Sequence, residues 1–486
     1  MQKVEDGLPP AARRLAVLVV ALGTILAVLD GSIANVALPT IGRELRIHPA
    51  STIWVVNAFQ LVVVMTLLPF ASLGDKIGYR RVYAFGVGLF TIGSLCCALS
   101  REFGPLVASR ALQGVGAAAI MSVGPALYRT IFPQRLLGQA LGISALVVAS
   151  SSAAGPTVGG AILAFLPWPW LFAVNVPFGI LDAYGALRLL PREPGSGKPF
   201  DVTSALLSGP ALALVVIALD GFAHRAPSLE TAALLAAAIV LGTLFVLRQR
   251  RLEHPMLHID LFRLPRFSLA ASTSLCSFAA QGTAYVALPF LYQTVFGYTA
   301  LEAGLLLTPW PLSIAAIAPF AGRLADRFSP PLLATSGLAL FAAGLASMAL
   351  LPAHPHPLDI VWRSVLCGIG FGFFQAPNNR ELLGSAPREQ SGSASGVLAT
   401  ARVTGQSLGA AFVAIVLGAG LGAAAVTTMH GGSEFAGPLR NALWIAAACA
   451  GLAALVSALR LRTPRILSAA GATMPENRSS KWTGRL

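Results

Sequence analysis

Long apolar runs, broken by short clusters of charge, proline or glycine, recur along the whole chain. Reading each run of about 17–25 apolar residues as one membrane-crossing helix places spans at about residues 15–38, 53–73, 82–100, 104–127, 138–165, 170–190, 203–220, 229–247, 267–294, 301–321, 331–351, 358–378, 395–421 and 439–461. The pattern predicts an all-α integral membrane protein with fourteen transmembrane helices. An even number puts both termini on one side. The apolar run after Arg13 and Arg14 is too long for a signal-peptide core and is interrupted by Asp30, so span 1 is expected to be retained.

Composition sharpens this picture. The 486 residues are 55% hydrophobic and 11% charged, against about 25% charged in a soluble domain. The chain lacks the polar residues to cover a water-facing surface, which excludes a soluble enzyme on a single anchor. Its formal charge of +14 invites a nucleic-acid reading, but the location of the charges argues otherwise. With the N-terminus inside, only Arg43, Arg46, Arg101, Arg225 and Arg440 fall outside and Arg110, Arg363 and Arg402 within spans. The rest of the 34 lysines and arginines lie in inner segments. That is the positive-inside bias facing anionic headgroups, so membrane lipids are the expected partner and nucleic acid is not. The five cysteines sit in apolar stretches without ligand spacing. His254 with His258, and His354 with His356, read as loop pairs, so no metal site is expected.

The first and last six spans look alike. Leu73-Gly74-Asp75-Lys76 after span 2 matches Leu324-Ala325-Asp326-Arg327 after span 10. Gly114, Gly116, Gly142 and Gly155 map at one common offset onto Gly368, Gly370, Gly396 and Gly409. A parallel repeat follows, with spans 7 and 8 as an inserted pair. The expected organisation is a cytoplasmic N-terminus (1–14), an N-terminal six-helix bundle (15–190) and a linker carrying the inserted helices and a basic loop (191–266). A C-terminal six-helix bundle (267–461) and a disordered tail (462–486) complete it.

Asp30 lies about 12 Å inside the outer end of span 1, where an ionised carboxylate costs about 2.5–3.5 kcal/mol or more. Burial favours the protonated acid and a nearby cation the ionised one. An acid held between those effects can change protonation as access alternates; the alternative is a permanently paired structural acid. Arg110, at similar depth in span 4, is its candidate partner, or else an arginine reaching toward headgroups. The run Leu73 to Arg81 reads as a tight inner turn closed at Gly78; Asp75, Arg80, Arg81, Asp326 and Arg327 are candidate gating residues. In span 5, Gly155, Pro156, Gly159 and Gly160 combine a freed carbonyl with room for close helix approach. Asn35, Asn57, Gln60, Gln113, Gln281, Tyr285, Tyr292 and Arg402 are candidate cavity residues, and interhelical hydrogen bonding explains the spaced polar sets of spans 2 and 9 equally well. Gly405-Gln406-Ser407-Leu408-Gly409 fits a nucleophile elbow in letters only, because it lies within a predicted helix.

These residues resemble the major facilitator superfamily, specifically its fourteen-helix drug:proton antiporter branch. Leu29 to Pro39 looks like that branch's acidic helix 1 motif and Leu73 to Arg81 the loop 2–3 motif. Arg110-Ala111-Leu112-Gln113-Gly114-Val115-Gly116 is similar to the helix 4 motif, and Gly155 to Gly160 to the helix 5 antiporter motif. Trp170-Leu171-Phe172 followed by Asn175-Val176-Pro177 resembles the same branch. Two departures stand out: Ala71 where the loop motif begins with glycine, and Ser329 where its second copy closes. The resemblance implies two six-helix bundles, alternating access and export driven by proton entry. Asp30 is then the protonation residue, Arg110 its relay, Asp75 and Arg80 parts of the inner gate, and Gly155 and Pro156 the hinge.

Spans 9–14 carry no acid at mid-membrane depth, since Glu302 and Asp359 lie at outer ends. Because members of the family it resembles that export dications tend to have a second buried acid, this absence, with Arg402 about seven residues into span 13, favours monovalent lipophilic cations, neutral amphiphiles or anions over dications. The expectation is a monomeric, cofactor-free antiporter in a bacterial inner membrane, driven by the proton gradient and exporting small amphipathic compounds, with both termini cytoplasmic. It competes with a dedicated exporter of one metabolite, lipid or siderophore, and with a non-transporting receptor or scaffold. No clustered nucleophile and base marks an enzyme.

Overall fold

The computed structural model describes residues 7–133, 136–193, 195, 201–224, 229–252, 255–325, 327–387, 390–420 and 432–462. Among these residues the chain is helical and has no strand. This is what a bilayer demands, because a helix satisfies its own backbone hydrogen bonds. The first half runs α1 (Pro10–Glu44), α2 (Pro49–Thr52), α3 (Trp54–Ile77), α4 (Tyr79–Leu99), α5 (Phe103–Ile131), α6 (Leu137–Phe165), α7 (Trp170–Ala173) and α8 (Asn175–Leu189). The inserted pair is α9 (Val202–His224) and α10 (Leu229–Gln249). The second half runs α11 (Pro265–Phe290), α12 (Ala300–Leu307), α13 (Pro309–Leu324), α14 (Pro330–Ala349), α15 (Pro357–Ser385), α16 (Ser391–Gly420) and α17 (Gly432–Leu459).

Taking α2 with α3, α7 with α8 and α12 with α13, thirteen segments among the described residues are long and apolar enough to cross a membrane; the 23-residue α9 adds a shorter apolar stretch, Val202–Val215. Large apolar side chains point outward, including Leu18 at 64%, Ile180 at 61%, Ile239 at 69% and Leu455 at 67% exposure. Their outward placement marks lipid-facing surfaces. We call the side carrying Pro10 the near face and the side carrying Glu44 the far face.

Several boundaries differ from the sequence reading. α1 continues through Pro39 to Glu44, so Asp30 lies about 21 Å from its far end instead of about 12 Å. Pro39 forfeits one helix hydrogen bond, which a membrane helix tolerates when neighbours pack round it, and Pro39 is buried. The loop after span 2 shrinks to Gly78 alone between α3 and α4. Span 10 divides at Thr308, immediately before Pro309, and span 9 ends in a π turn at Leu291–Val295 just past Pro289. α15 runs seven residues beyond position 378, to Ser385.

The repeat is visible atom by atom. A side chain on Gly116 would meet Phe90 N and Gly86 O, and one on Gly370 would meet Phe341 N and Gly337 O. Gly114 sits against the Phe59 carbonyl as Gly368 sits against that of Trp310. The same register carries Asp30 onto Gln281 and Arg110 onto Ser364. The acid and arginine of the first half therefore have neutral counterparts in the second, in a fold of two six-helix bundles plus an inserted pair.

The bundles touch at their far ends. Gln293 Nε2 of the π turn donates to the Val36 carbonyl at 2.8 Å, and the Thr157 and Thr308 hydroxyls bond to each other. A Cβ on Gly160 would lie 2.6 Å from the Ala300 carbonyl, and one on Gly304 would strike the Pro156 carbonyl.

Candidate functional site

Four helices bring polar side chains into the interior of the first bundle. Asp30 of α1 is 2% exposed and Arg110 of α5 is 0% exposed. Arg110 Nη1 donates to Asp30 Oδ2 at 2.5 Å and to Gln113 Oε1 at 2.5 Å, while its Nε donates to the Val55 carbonyl at 2.9 Å. Asp30 Oδ1 accepts from Gln113 Nε2 at 2.9 Å and from Asn175 Nδ2 of α8 at 2.8 Å. Gln113 Nε2 also donates to Ser94 Oγ of α4 at 2.8 Å. The i, i+3 spacing of Arg110 and Gln113 places both on one face of α5.

The carboxylate thus receives three donors, one of them a charged guanidinium, a charge-assisted set of hydrogen bonds. The guanidinium lies 4.4 Å from the Phe59 ring centroid and 5.4 Å from that of Phe172; ring faces attract a desolvated cation. Arg110 Nη2 is buried without a hydrogen-bond partner, a cost these rings partly offset. Protonating Asp30 removes the charge that holds Nη1 and frees Arg110 to turn toward other acceptors.

Side chains at the junction of α3 and α4 bond within the first bundle. Tyr79 Oη donates to Asp75 Oδ1 at 2.7 Å, and Arg80 Nη2 donates to the Leu187 carbonyl of α8. Gly78 has φ +98°, and a Cβ there would lie 2.7 Å from the Glu193 carbonyl of the linker, so glycine is required twice over. Burial pushes the Glu193 carboxyl up from its ordinary value. Arg81 and Arg327 are exposed, and Asp326 lies outside the described residues. Ser329 has φ −61° and starts α14, so the second copy needs no left-handed glycine.

Within the continuous helix α6, Gly155 lies against Ser32 and Gly159 against Ile33 of α1, while Gly160 and the Pro156 carbonyl meet α12. The motif thus forms the seam between bundles. Of the cavity candidates, Gln113 belongs to the Asp30 network. Tyr292 is fully buried in the core of the second half, with its hydroxyl 4.0 Å from Met348 Sδ. Gln406 Nε2 bridges to Gln281 Oε1 at 3.3 Å, and Tyr285 packs edge-on to Trp310 at 5.2 Å. Asn35 and Asn57 are buried, Gln60 and Arg402 half-buried; Asn35 Oδ1, Asn57 Oδ1 and Gln60 Oε1 lack hydrogen-bond partners.

The sequence reading missed Asn175, Ser94 and Phe172 as site residues, although Phe172 and Asn175 lie in a quoted motif. It also left Glu381 in a loop. Glu381 lies within α15 at 8% exposure, 3.1 Å from Arg460 Nη1 and 3.3 Å from Arg266 Nη1. The second half therefore does bury an acid, near its near face. Asp182 of α8, 1% exposed, also escaped notice. His258 Nδ1 bonds Ser393 Oγ at 2.7 Å and His356 caps α15, while His254 lies outside the described residues.

The chain matches the Major Facilitator Superfamily over residues 20–410. It is 51% identical over 410 residues, covering 84% of this chain and 90% of the relative, to the uncharacterized transporter YebQ of Escherichia coli strain K12. The riboflavin transporter RibZ of Clostridioides difficile is 32% identical, covering 80% of this chain and 84% of the relative. The multidrug efflux pump LfrA of Mycolicibacterium smegmatis is 33% identical, covering 81% and 78%. In fold, the chain resembles a bacterial homolog of the human lysosomal transporter Spinster, crystallised inward-facing and unoccupied, with TM-score 0.66, 17% identity and coverage of 93% and 97%. The chain belongs to the major facilitator superfamily and is a multi-pass membrane transporter.

Proposed function

We propose that the chain is a proton-coupled antiporter that exports small amphipathic or lipophilic compounds by alternating access across a bacterial inner membrane. The near face, with both termini, is cytoplasmic, as the distribution of lysine and arginine favours. The chain works as a monomer without a cofactor, driven by the proton gradient. The observation that carries this reading is the closed network round Asp30. One buried carboxylate is held by Arg110, Gln113 and Asn175, and a proton arriving there breaks its ionic hold on α5. Contacts at the far ends of the bundles favour an inward-facing conformation, and the multidrug relative supports the substrate class. In the second half, Gln281 and Ser364 stand where Asp30 and Arg110 do in the first, so coupling is assigned to the first half.

The riboflavin-transporting relative at nearly the same identity favours a second reading, a dedicated exporter of one metabolite. Everted vesicles carrying the chain separate the two. Acidifying the interior should drive uptake of a fluorescent lipophilic cation, and a protonophore should abolish it. Gradient-driven uptake of riboflavin with none of the cation would replace the multidrug reading with the dedicated one.

A further inference from the structure

Asp30 is not the one buried acid of the first bundle. Seven residues toward the near face on α8 from Asn175 stands Asp182, and seven residues in the same sense on α1 from Asp30 stands Gly23. The two acids thus share one seam between α1, α4 and α8, about 10 Å apart along it.

Their surroundings differ in kind. Asp182 Oδ2 lies 3.1 Å from Tyr83 Oη of α4, and that hydroxyl lies 2.9 Å from the Val19 carbonyl of α1. Tyr83 has one proton for two acceptors. The carbonyl can only accept, so when Tyr83 donates to Val19 its oxygen is left to accept a proton from Asp182. Asp182 Oδ1 has no hydrogen-bond partner, and no cation pairs with Asp182 among the described residues. An ionised carboxylate so placed has one donor at most, where Asp30 has three.

Among the described residues, the elements round it pair no charged side chain with Asp182. α4 presents Tyr83, α1 presents the Val19 carbonyl and Gly23, and Tyr128 of α5 stands in the same buried cluster as Tyr83. A side chain on Gly23 would overlap both Tyr83 Oη and Asp182 Oδ2, so that glycine makes the room in which the two groups meet.

We propose that Asp182 is a second proton-carrying site of the transporter, the near-face station for the proton that Asp30 exchanges. The inference rests on the proton-coupled reading above. When Asp182 releases its proton, the Tyr83 hydroxyl turns from the Val19 carbonyl to the new carboxylate. The carbonyl keeps its α-helical bond, so the switch strands no acceptor. Between the stations lies Thr91, whose hydroxyl abuts Gly179 of α8.

The test is infrared difference spectroscopy on the purified full chain in liposomes, with flux measured on the same preparations. Wild type should show the carbonyl-stretch band of a protonated carboxylic acid at neutral pH. Asp182→Asn should lose that band, Asp30→Asn should keep it, and Tyr83→Phe should move its frequency. Gradient-driven flux in Asp182→Asn should fall, with its pH optimum displaced by about one unit, and Asp182→Glu should recover part of it. Absence of any band that depends on Asp182 overturns the assignment. So does a band that is present while Asp182→Asn keeps the wild-type pH profile, because the acid is then only structural. Wild-type flux that ignores the gradient sinks the antiport reading, and with it the station role. Normal wild-type flux without the band sinks the Asp182 assignment alone.

Discussion

Arg110 Nη1 stands 2.5 Å from Asp30 Oδ2 with both side chains essentially withdrawn from solvent. Removing one member of such a pair leaves the other charge buried alone, at a cost of about 3–5 kcal/mol. Arg110→Ala should therefore lower the thermal stability of the detergent-solubilised protein sharply. The double variant Asp30→Asn with Arg110→Gln should recover much of that stability without recovering flux. Arg110→Lys keeps the charge but loses the fork that reaches Asp30, Gln113 and the Val55 carbonyl together, so flux should fall by about tenfold or more. Wild-type flux in Arg110→Lys would show that charge alone suffices.

How far the sequence could be read depended on whether one segment held the signal. The spans were legible because bilayer thickness fixes their length, and the repeat because Gly116 and Gly370 each admit a neighbouring backbone. Asp30 and Arg110 stood out as charges in apolar runs. Asn175 did not, because a lone asparagine near a span end becomes a site residue only when α8 packs beside α1. Glu381 escaped because the apolar run fades at about residue 378 while the helix continues to Ser385. Asp182 lay within span 6 among Leu181, Ala183 and Tyr184, and nothing in one dimension pointed to Tyr83.

The seam between α6 and α12 gives a second prediction. Gly304 faces the Pro156 carbonyl so closely that no side chain fits. Gly304→Val should destabilise the state in which the far ends of the bundles touch. Cysteines placed at Thr157 and Thr308 should cross-link readily in an otherwise wild-type background and much less in Gly304→Val. Equal cross-linking in the two would contradict the close contact described here.

Near-face charge pairs set a response to acid. Arg248 donates to Asp201 at 2.8 and 3.0 Å, and these bonds, helped by Ser204, hold the Asp201 carboxyl down at about 2 against an ordinary 3.8. A carboxyl lowered in the fold stabilises it fully above the ordinary value and loses that contribution as pH falls from about 4 toward 2. Arg248 is 39% exposed, so the effect is about 1 kcal/mol or less. Asp201→Asn should lower the melting temperature slightly at pH 7, with the difference from wild type vanishing near pH 2.

In the second bundle, Glu381 lies between Arg460 and Arg266, and Arg460 Nη1 also donates to Asn378 Oδ1 at 2.8 Å. Glu381→Gln keeps the shape and removes the charge that balances a fully buried arginine. It should cost about 3 kcal/mol of stability while leaving the proton dependence of any remaining flux unchanged. A shifted pH profile in this variant would assign proton coupling to the second bundle as well.

If a proton on Asp30 drives export, flux through wild type and through Asp30→Asn must part under a proton gradient. Everted vesicles containing wild type or Asp30→Asn are given the same inward-acid gradient and the same fluorescent lipophilic cation, with dye binding measured separately on purified protein. Wild type should accumulate the dye under the gradient, Asp30→Asn should not, and both should bind it. Equal gradient-driven accumulation by the two proteins would contradict that role of Asp30.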